Sequence, residues 1–479
     1  MTPHRLLAAG ITAAALALAG CTSSTPDPTP TPTPSASSPS SPSPSPSSSG
    51  PSVPVRFGSK WDWNKVASAE SWIRSQAPGV TFFEFQWCDV SPTGGPPDWA
   101  LLDRVVDRSR DLGVEMMLKI RTGTCAVTGG TAKFTRGAKN KSESRLPKDL
   151  AAYAAFVTSV VQRYSPRGVH TYAVENEING ETFWSGTGAE FEQLFAVAAK
   201  AIKAADPSAR ISDGGISSTA YGAAIVTRLL AQGKEAEAID AWNAYYERRI
   251  GVRGRQIVRV TNRAELDEML AGDQAKRNLA MLAADERILA SGLADIRQVH
   301  FYEAPEAAPL LVEYLKATTP AGIELQAWEV GSFVKGRDPS EAEMASDVVR
   351  TSATLIAGGS TMVIWLPLAF NPGGDNSDEP RSGLLDGSGA PRAGAKAFSA
   401  MREAATNASV RAVDADGLLG VSFTRDGATK AYVWKAGSAL TVPADVTLTP
   451  LTATAGSPAV GEPVELSGAA ADLSPILEQ

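Results

Sequence analysis

The chain has 479 residues, a formal net charge of −7 and an isoelectric point near 5.3. This acidic balance gives no basic surface of the kind that binds nucleic acid, so we exclude nucleic acid as a partner. Only three histidines are present, which argues against a histidine-rich metal site. We therefore predict neither a metal nor a cofactor.

The first 21 residues predict an export signal. His4 and Arg5 precede an apolar run, 6–19, that is too short to span a membrane. The tetrad Leu18-Ala19-Gly20-Cys21 resembles the bacterial lipoprotein signal, in which Cys21 is lipidated and becomes the new amino terminus. Plain secretion after cleavage near the same point is the alternative. We expect the protein to be held at the outer face of the cell membrane through the lipid anchor only, or to be released into the medium.

Residues 22–54 consist almost wholly of Ser, Thr and Pro. Such a segment cannot bury enough apolar surface to offset the entropy lost on ordering. We expect a disordered linker that holds a folded domain away from the membrane.

A repeating alternation of strands and amphipathic helices follows and predicts an α/β domain over residues 55–407. Eight strands in helix-separated units favour a closed (β/α)8 TIM barrel over an open doubly wound sheet. The first turns lack a glycine-rich phosphate loop, which removes the main argument for the doubly wound alternative. Long segments follow the third strand (122–148) and the fifth. The predicted strands are Val55–Gly58, Val80–Trp87, Val114–Arg121, Val169–Glu177, Arg210–Gly215, Gln298–Glu303, Glu324–Glu329 and Met362–Leu368.

From residue 408 to 479 the helical pattern gives way to short strands. Asp426-Gly427 between two of them is typical of a hairpin turn. We predict a small C-terminal β-sandwich domain. Its alternating Tyr432 and Trp434 either bind a glycan or belong to the core of this domain.

Two glutamates end predicted strands of the barrel. Glu177 closes the fourth strand and Glu329 closes the seventh. The carboxyl ends of barrel strands meet at one rim, where active sites of this fold are built. Glycosidic bond cleavage needs two such carboxyls, one to protonate the leaving oxygen and one to attack or to activate water.

The surrounding residues resemble the clan A glycoside hydrolases, which are retaining (β/α)8 enzymes. In that family an Asn-Glu pair on the fourth strand supplies a ligand for the sugar 2-hydroxyl, here Asn176, and the acid/base, here Glu177. The resemblance implies that Glu329 is the nucleophile. It covers roughly residues 55–405, and the segments that carry it are Val174–Gly180, His300–Tyr302, Trp328–Gly331 and Trp365.

Other residues complete the expected site. Alternate strand residues share a face, so His300 and Tyr302 can both point inward, and we expect the Tyr302 hydroxyl to bind Glu329. Glu175 shares the parity of Glu177 and is the rival acid. Asn176 and Glu177 can both serve the site only if the strand end bends or bulges.

An arginine is also expected beside Glu329, with Arg56 and Arg121 as candidates. Aromatic rings stack on the apolar faces of sugars. Trp365, Trp87 and Trp184 are therefore candidate walls of the substrate site, with core packing as the alternative. Cys88 and Cys125 are predicted to pair as a disulfide, and two free thiols are the alternative.

Together these patterns predict a retaining β-glycoside hydrolase for an extracellular oligo- or polysaccharide. A barrel that binds a glycan without cleaving it is one alternative. A transglycosylase that uses the same two glutamates is another.

Overall fold

The computed structural model describes residues 54–136, 141–252, 257–332, 339–369, 383–438, 440, 442–451 and 460–478. The predicted signal and all but the last residue of the predicted linker lie outside these ranges. Eight parallel strands form a closed barrel in which each strand pairs with its neighbours along the chain, so the predicted TIM barrel is confirmed. The strands are β1 Arg56–Ser59, β2 Gly79–Gln86, β3 Val114–Arg121, β4 Thr171–Val174, β5 Arg210–Ser212, β6 Ile296–Phe301, β7 Glu324–Val330 and β8 Met362–Trp365.

Helices cover the outside of the barrel. Several begin with a side-chain cap, as at Asp149, Thr187 and Ser340, where the capping oxygen accepts a backbone N–H of the first turn. Within the described residues, no helix is both long enough and apolar enough to cross a bilayer. The helices are α1 Val66–Ser75, α2 Trp87–Val90, α3 Ala100–Asp111, α4 Leu150–Tyr164, α5 Gly188–Ala205, α6 Ser218–Ala231, α7 Glu235–Tyr245, α8 Arg263–Ala271, α9 Asp273–Ala290, α10 Ala308–Thr318, α11 Glu341–Ala357 and α12 Ala393–Ala405.

The barrel has two apolar layers. Inward-facing side chains fill its interior, among them Phe82, Trp328 and Ile364. A much larger cluster lies between the strands and the surrounding helices. Because β strands alternate their faces, the parity of each residue decides which layer it joins. This packed interior leaves the carboxyl-terminal ends of the strands as the place for a site.

The C-terminal domain is a five-stranded antiparallel sheet in the order β9-β10-β11-β13-β12, and the predicted β-rich domain is confirmed. One face joins the barrel core, where Arg350 of α11 lies over the ring of Trp434. Tyr432 is fully buried in the same layer, so both aromatic residues belong to the core. The elements are β9 Ser409–Ala415, β10 Leu418–Arg425, β11 Ala428–Lys435, β12 Thr447–Pro450, β13 Val464–Ala469 and a helix, α13 Ala470–Leu477, whose Leu473 packs on the other face.

Candidate active site

The backbone at the end of β4 brings two adjacent side chains to one cavity. β4 ends at Val174, and Glu175 and Glu177 both adopt left-handed conformations, with φ of 69° and 42°. Such conformations cost of order 1 kcal/mol or more each for residues other than glycine and are typical of functional sites. They break the alternation of the strand, so Asn176 and Glu177 both line the cavity.

A bulge in β7 turns Glu329 towards the same cavity. Val299 of β6 pairs with Ala327, but the next residue, His300, pairs with Glu329. One extra residue, Trp328, is therefore inserted in β7. As a result Trp328 fills the barrel interior against Phe82, while Glu329 also points inward.

Glu329 is held by a cation and a hydroxyl. Lys119 Nζ, fully buried on β3, donates to Glu329 Oε1 at 2.8 Å, and the Tyr302 hydroxyl donates to Oε2 at 3.0 Å. Burial alone would raise the pKa of Glu329. Positive charge on the His300 ring, when protonated, and on Lys119 outweighs burial and lowers the pKa to about 2. When the His300 ring is neutral, Lys119 remains as the cation in contact with Glu329 and still favours its ionised form.

His300 lies between the two carboxyls. Its Nδ1 is 3.0 Å from Glu177 Oε1 and its Nε2 is 3.6 Å from Glu329 Oε1. Ligand-type atoms of Glu177, His300 and Glu329 all lie within 4.8 Å of one another, the only such grouping found in the described part of the chain. A divalent cation placed here would face the Lys119 ammonium. The grouping is therefore better suited to acid-base chemistry than to a metal.

Two glycines allow this close packing. A Cβ on Gly215 would lie 2.7 Å from His300 Nε2, and a Cβ on Gly331 would lie 2.7 Å from the Tyr302 ring. Gly215 also has φ of +67°, which other residues rarely adopt. The backbone after β5 and β7 thus supports the rings that bind the two carboxyls.

The two glutamates open into a cavity of about 440 Å³. Its described walls come mainly from β2, from the segments after β1 and β2 and from α3, with Phe183 after β4 and Leu366 after β8. Among the described residues, neither long segment, after β3 or after β5, lines it. Six aromatic residues line it, which suits the apolar faces of a sugar ring. They are Trp61, Trp63, Phe82, Phe83, Phe85 and Phe183.

The three tryptophans predicted as walls do not line this cavity. Trp365 is fully buried in the layer between strands and helices, because Met362 and Ile364 take the inward positions of β8. Trp184 is fully buried against Phe191. Trp87 stacks on Phe156 of α4, with ring centres 5.3 Å apart. Each is a packing residue, so their assignment to the substrate site is corrected.

Neither predicted arginine contacts Glu329. Arg56 starts β1 and pairs with Glu115 at the beginning of β3, so it lies at the amino-terminal ends of the strands, away from the site. Arg121 is buried and pairs with Glu84 and Glu175. The cation beside Glu329 is Lys119, which the sequence reasoning missed. Its signal was a lysine of inward parity within the apolar strand Val114–Arg121.

Glu175, the rival acid, is fully buried and does not line the cavity. It accepts from the Thr122 backbone N–H at 2.7 Å and pairs with Arg121. Burial raises the pKa of Glu175, although the Arg121 guanidinium opposes this. Glu175 is thus placed to hold the loop after β3. Cys88 and Cys125 form a disulfide that ties α2 to the same loop.

No family model and no curated protein matches the chain. Solved structures do resemble it. A family 39 glycoside hydrolase from Bacteroides cellulosilyticus WH2 has a TM-score of 0.55 at 14% identity, with 86% of this chain and 81% of that chain covered. A monomeric β-xylosidase from Caulobacter crescentus CB15 has a TM-score of 0.51 at 16% identity, with 81% and 76% covered.

A GH30 endoxylanase from Clostridium papyrosolvens C71 has a TM-score of 0.50 at 13% identity, with 88% of this chain and 98% of that chain covered. At such identities the likeness establishes the fold alone. The fold is therefore one that glycoside hydrolases use, and the activity of this chain must be argued from its own site.

Proposed function

We propose that this chain is a retaining β-glycoside hydrolase that acts on an extracellular oligo- or polysaccharide. Glu177 is the acid/base and Glu329 is the nucleophile. The observation that carries the proposal is that one oxygen of each carboxylate lies within 4.8 Å of the other, beside His300 and in the lining of a cavity with six aromatic residues. Retaining enzymes place their carboxyls about 5 to 5.5 Å apart, whereas inverting enzymes leave a wider gap for water.

The surroundings of the two glutamates support their different roles. Glu329 is ionised and held at both oxygens, so its attack on the anomeric carbon needs no prior proton loss. Glu177 is partly exposed at the cavity, and within the described residues its side chain is hydrogen-bonded to His300 alone. Asn176, anchored by Lys119, faces the same space and is placed for a sugar hydroxyl.

In the first step Glu329 forms a bond to the anomeric carbon while Glu177 gives its proton to the departing oxygen. In the second step Glu177 takes a proton from water, and that water releases the sugar from Glu329. The two displacements together keep the anomeric configuration. The neighbouring folds include a β-xylosidase and an endoxylanase, which supports a β-linked substrate.

The test is the stereochemistry of hydrolysis. The full chain is incubated with a panel of aryl β-glycosides, and the first-formed sugar is followed by proton NMR. We expect a β-anomer first and slow conversion to the equilibrium mixture. An α-anomer first would exclude retention, and a glycosylated acceptor without free sugar would identify a transglycosylase. Binding with no turnover of any β-glycan would favour the glycan-binding alternative.

We further propose that the protein is anchored at the outer face of the cell membrane through acyl chains on Cys21. The basis is the Leu18–Cys21 tetrad and the Ser/Thr/Pro-rich segment after it. Cys21→Ser should release a folded protein of unchanged specific activity into the medium. A variant that remains in the membrane fraction would contradict lipid anchoring, and Cys88→Ser serves as a control that changes a cysteine without touching the anchor.

A further inference from the structure

Lys119 has more contacts than a counter-ion for Glu329 needs. Its side chain is fully buried, and an ammonium carries three hydrogens. Three acceptor atoms surround it: Asn176 Oδ1 at 2.6 Å, Glu329 Oε1 at 2.8 Å and His300 Nε2 at 3.2 Å. A lysine ammonium can only donate. The nitrogen that faces it must therefore supply a lone pair.

We propose that Lys119 is a positioning residue that holds His300 as the neutral tautomer protonated at Nδ1, so that this N–H donates to Glu177. The geometry agrees at the other side of the ring, where Nδ1 is 3.0 Å from Glu177 Oε1. The catalytic consequence rests on the proposed function. The tautomer itself is a property of the folded chain and can be measured without any substrate.

One group favours the opposite tautomer. Gln298 Oε1 lies 3.2 Å from His300 Nε2, and its amide nitrogen is engaged by the Ser212 hydroxyl and the Asp213 carbonyl. This oxygen would accept a proton carried at Nε2. Such an N–H, in a neutral or a protonated ring, would however lie 3.2 Å from the Lys119 ammonium. A charge-assisted bond from lysine is the stronger of the two interactions.

The tautomer decides where the proton of Glu177 sits. With Nδ1–H donating, Glu177 Oε1 accepts, and the acid proton resides on Oε2, free to pass to the leaving oxygen. With the proton at Nε2, Nδ1 would accept from Glu177 and hold its proton away from substrate. His300 therefore keeps its proton through both displacements, and only Glu177 exchanges one with leaving group and water.

The charged and titratable groups around Lys119 and His300 come from several strands. Glu177 contacts His300 and Glu329 contacts Lys119, while the Tyr302 hydroxyl donates to Glu329. The charge of Glu84, on β2, raises the pKa of Glu329. Asp213, after β5, interacts electrostatically with His300. Lys119 is the cation in contact with Glu329, so its removal should move the acidic limb of kcat/KM to higher pH.

The direct test is nitrogen-15 NMR of the full chain labelled at histidine. Only His4, His170 and His300 contribute ring signals, and His170→Gln and His300→Gln assign them. His170 is exposed, lies beside Asp206 and is not among the partners of Lys119, so it serves as the internal control. We expect His300 to show one protonated ring nitrogen, Nδ1, at neutral pH. An Nε2–H or a doubly protonated ring at neutral pH would overturn the proposal.

Variants separate the effects of Lys119 and Gln298 on the His300 ring. Lys119→Met should move the ring proton to Nε2 or protonate the ring, and Lys119→Arg should keep the acidic limb of kcat/KM near that of the wild type. Gln298→Leu should leave Nδ1–H unchanged; a change there would mean that Gln298 sets the tautomer. If Lys119→Met does not fold, the wild type and Gln298→Leu still decide. The expected tautomer without any glycosidase activity would reject the proposed function and leave the tautomer assignment intact.

Discussion

Two pairs of acids in the barrel domain differ in what surrounds them. Glu177 and Glu329 reach a cavity and contact Lys119, His300 and Tyr302. Asp213, after β5, and Asp285, on α9, are sealed from solvent, and both Asp285 oxygens are without a hydrogen-bond partner in the described structure.

The pKa of Glu329 is lowered, whereas the pKa values of Asp213 and Asp285 are both raised. Burial raises the pKa of Asp213 to about 6. Burial, reinforced by the charge of Asp213, raises the pKa of Asp285 well above its usual range, and Arg297 only partly opposes this. Glu329 is equally enclosed but has an ammonium at 2.8 Å. Burial alone neutralises an acid; a cation in contact keeps it ionised and usable for chemistry.

The largest expected effect is on Glu329. Glu329→Gln keeps the shape of the side chain but removes the charge that attacks the anomeric carbon, so kcat should fall about 10⁴-fold or more for every substrate. Steady-state rates on aryl and natural glycosides measure this. Glu192→Gln, on exposed α5, is the matched control and should retain full activity. Activity of Glu329→Gln above about one per cent would reject Glu329 as the nucleophile.

Glu177→Ala should have a smaller and substrate-dependent effect. Its proton matters for poor leaving groups, so turnover of a natural glycan should fall about 10²- to 10⁴-fold, whereas an activated aryl glycoside should be cleaved more readily. Added azide should restore part of the rate by attacking the glycosyl-enzyme. Wild-type activity of this variant on a natural glycan would reject Glu177 as the acid.

Asp285→Asn should change stability rather than activity. The pKa values of the buried pair are raised above the unfolded value of about 3.9, so the folded state binds protons more tightly. The stability that this provides is present below about pH 4 and is lost as pH rises through the raised pKa values. Relative to the wild type, the variant should therefore gain free energy of unfolding between pH 4 and pH 7.

Urea unfolding at the two pH values measures this gain. Asp273→Asn, at the exposed start of the same helix, is the control and should show no comparable pH-dependent gain. An equal pH dependence in the wild type and in Asp285→Asn would mean that the pair does not titrate as a coupled buried unit.

The smallest effect is expected at Arg56. Its ion pair with Glu115 has both side chains at least one-third exposed. Exposed pairs contribute roughly 0 to 1 kcal/mol, so Arg56→Ala should change stability by less than about 1 kcal/mol and leave kcat unchanged. A loss of activity in this variant would return Arg56 to the substrate site.

The sequence by itself determined the architecture and the two glutamates. Strand and helix periods are local signals, and eight alternating units leave few folds to choose from, so the barrel and the C-terminal sheet could be predicted. The ends of β4 and β7 were marked because each glutamate directly follows an apolar run. The disulfide partners also followed from the expected strand ends, since Cys88 and Cys125 close neighbouring strands.

Tertiary structure alone decided which way the side chains point where the strand alternation fails. The left-handed residues after β4 and the extra residue in β7 change parity locally, and no sequence period reveals them. Trp365 was wrongly predicted to line the cavity. A shift of one residue along a strand turns a side chain from the inside of the barrel to the layer beneath the helices. Lys119 was missed because a lone lysine in a strand gains its meaning only when Asn176, His300 and Glu329 arrive from three other strands. Those contacts span up to 210 positions of sequence, a distance over which only the folded barrel brings charges together.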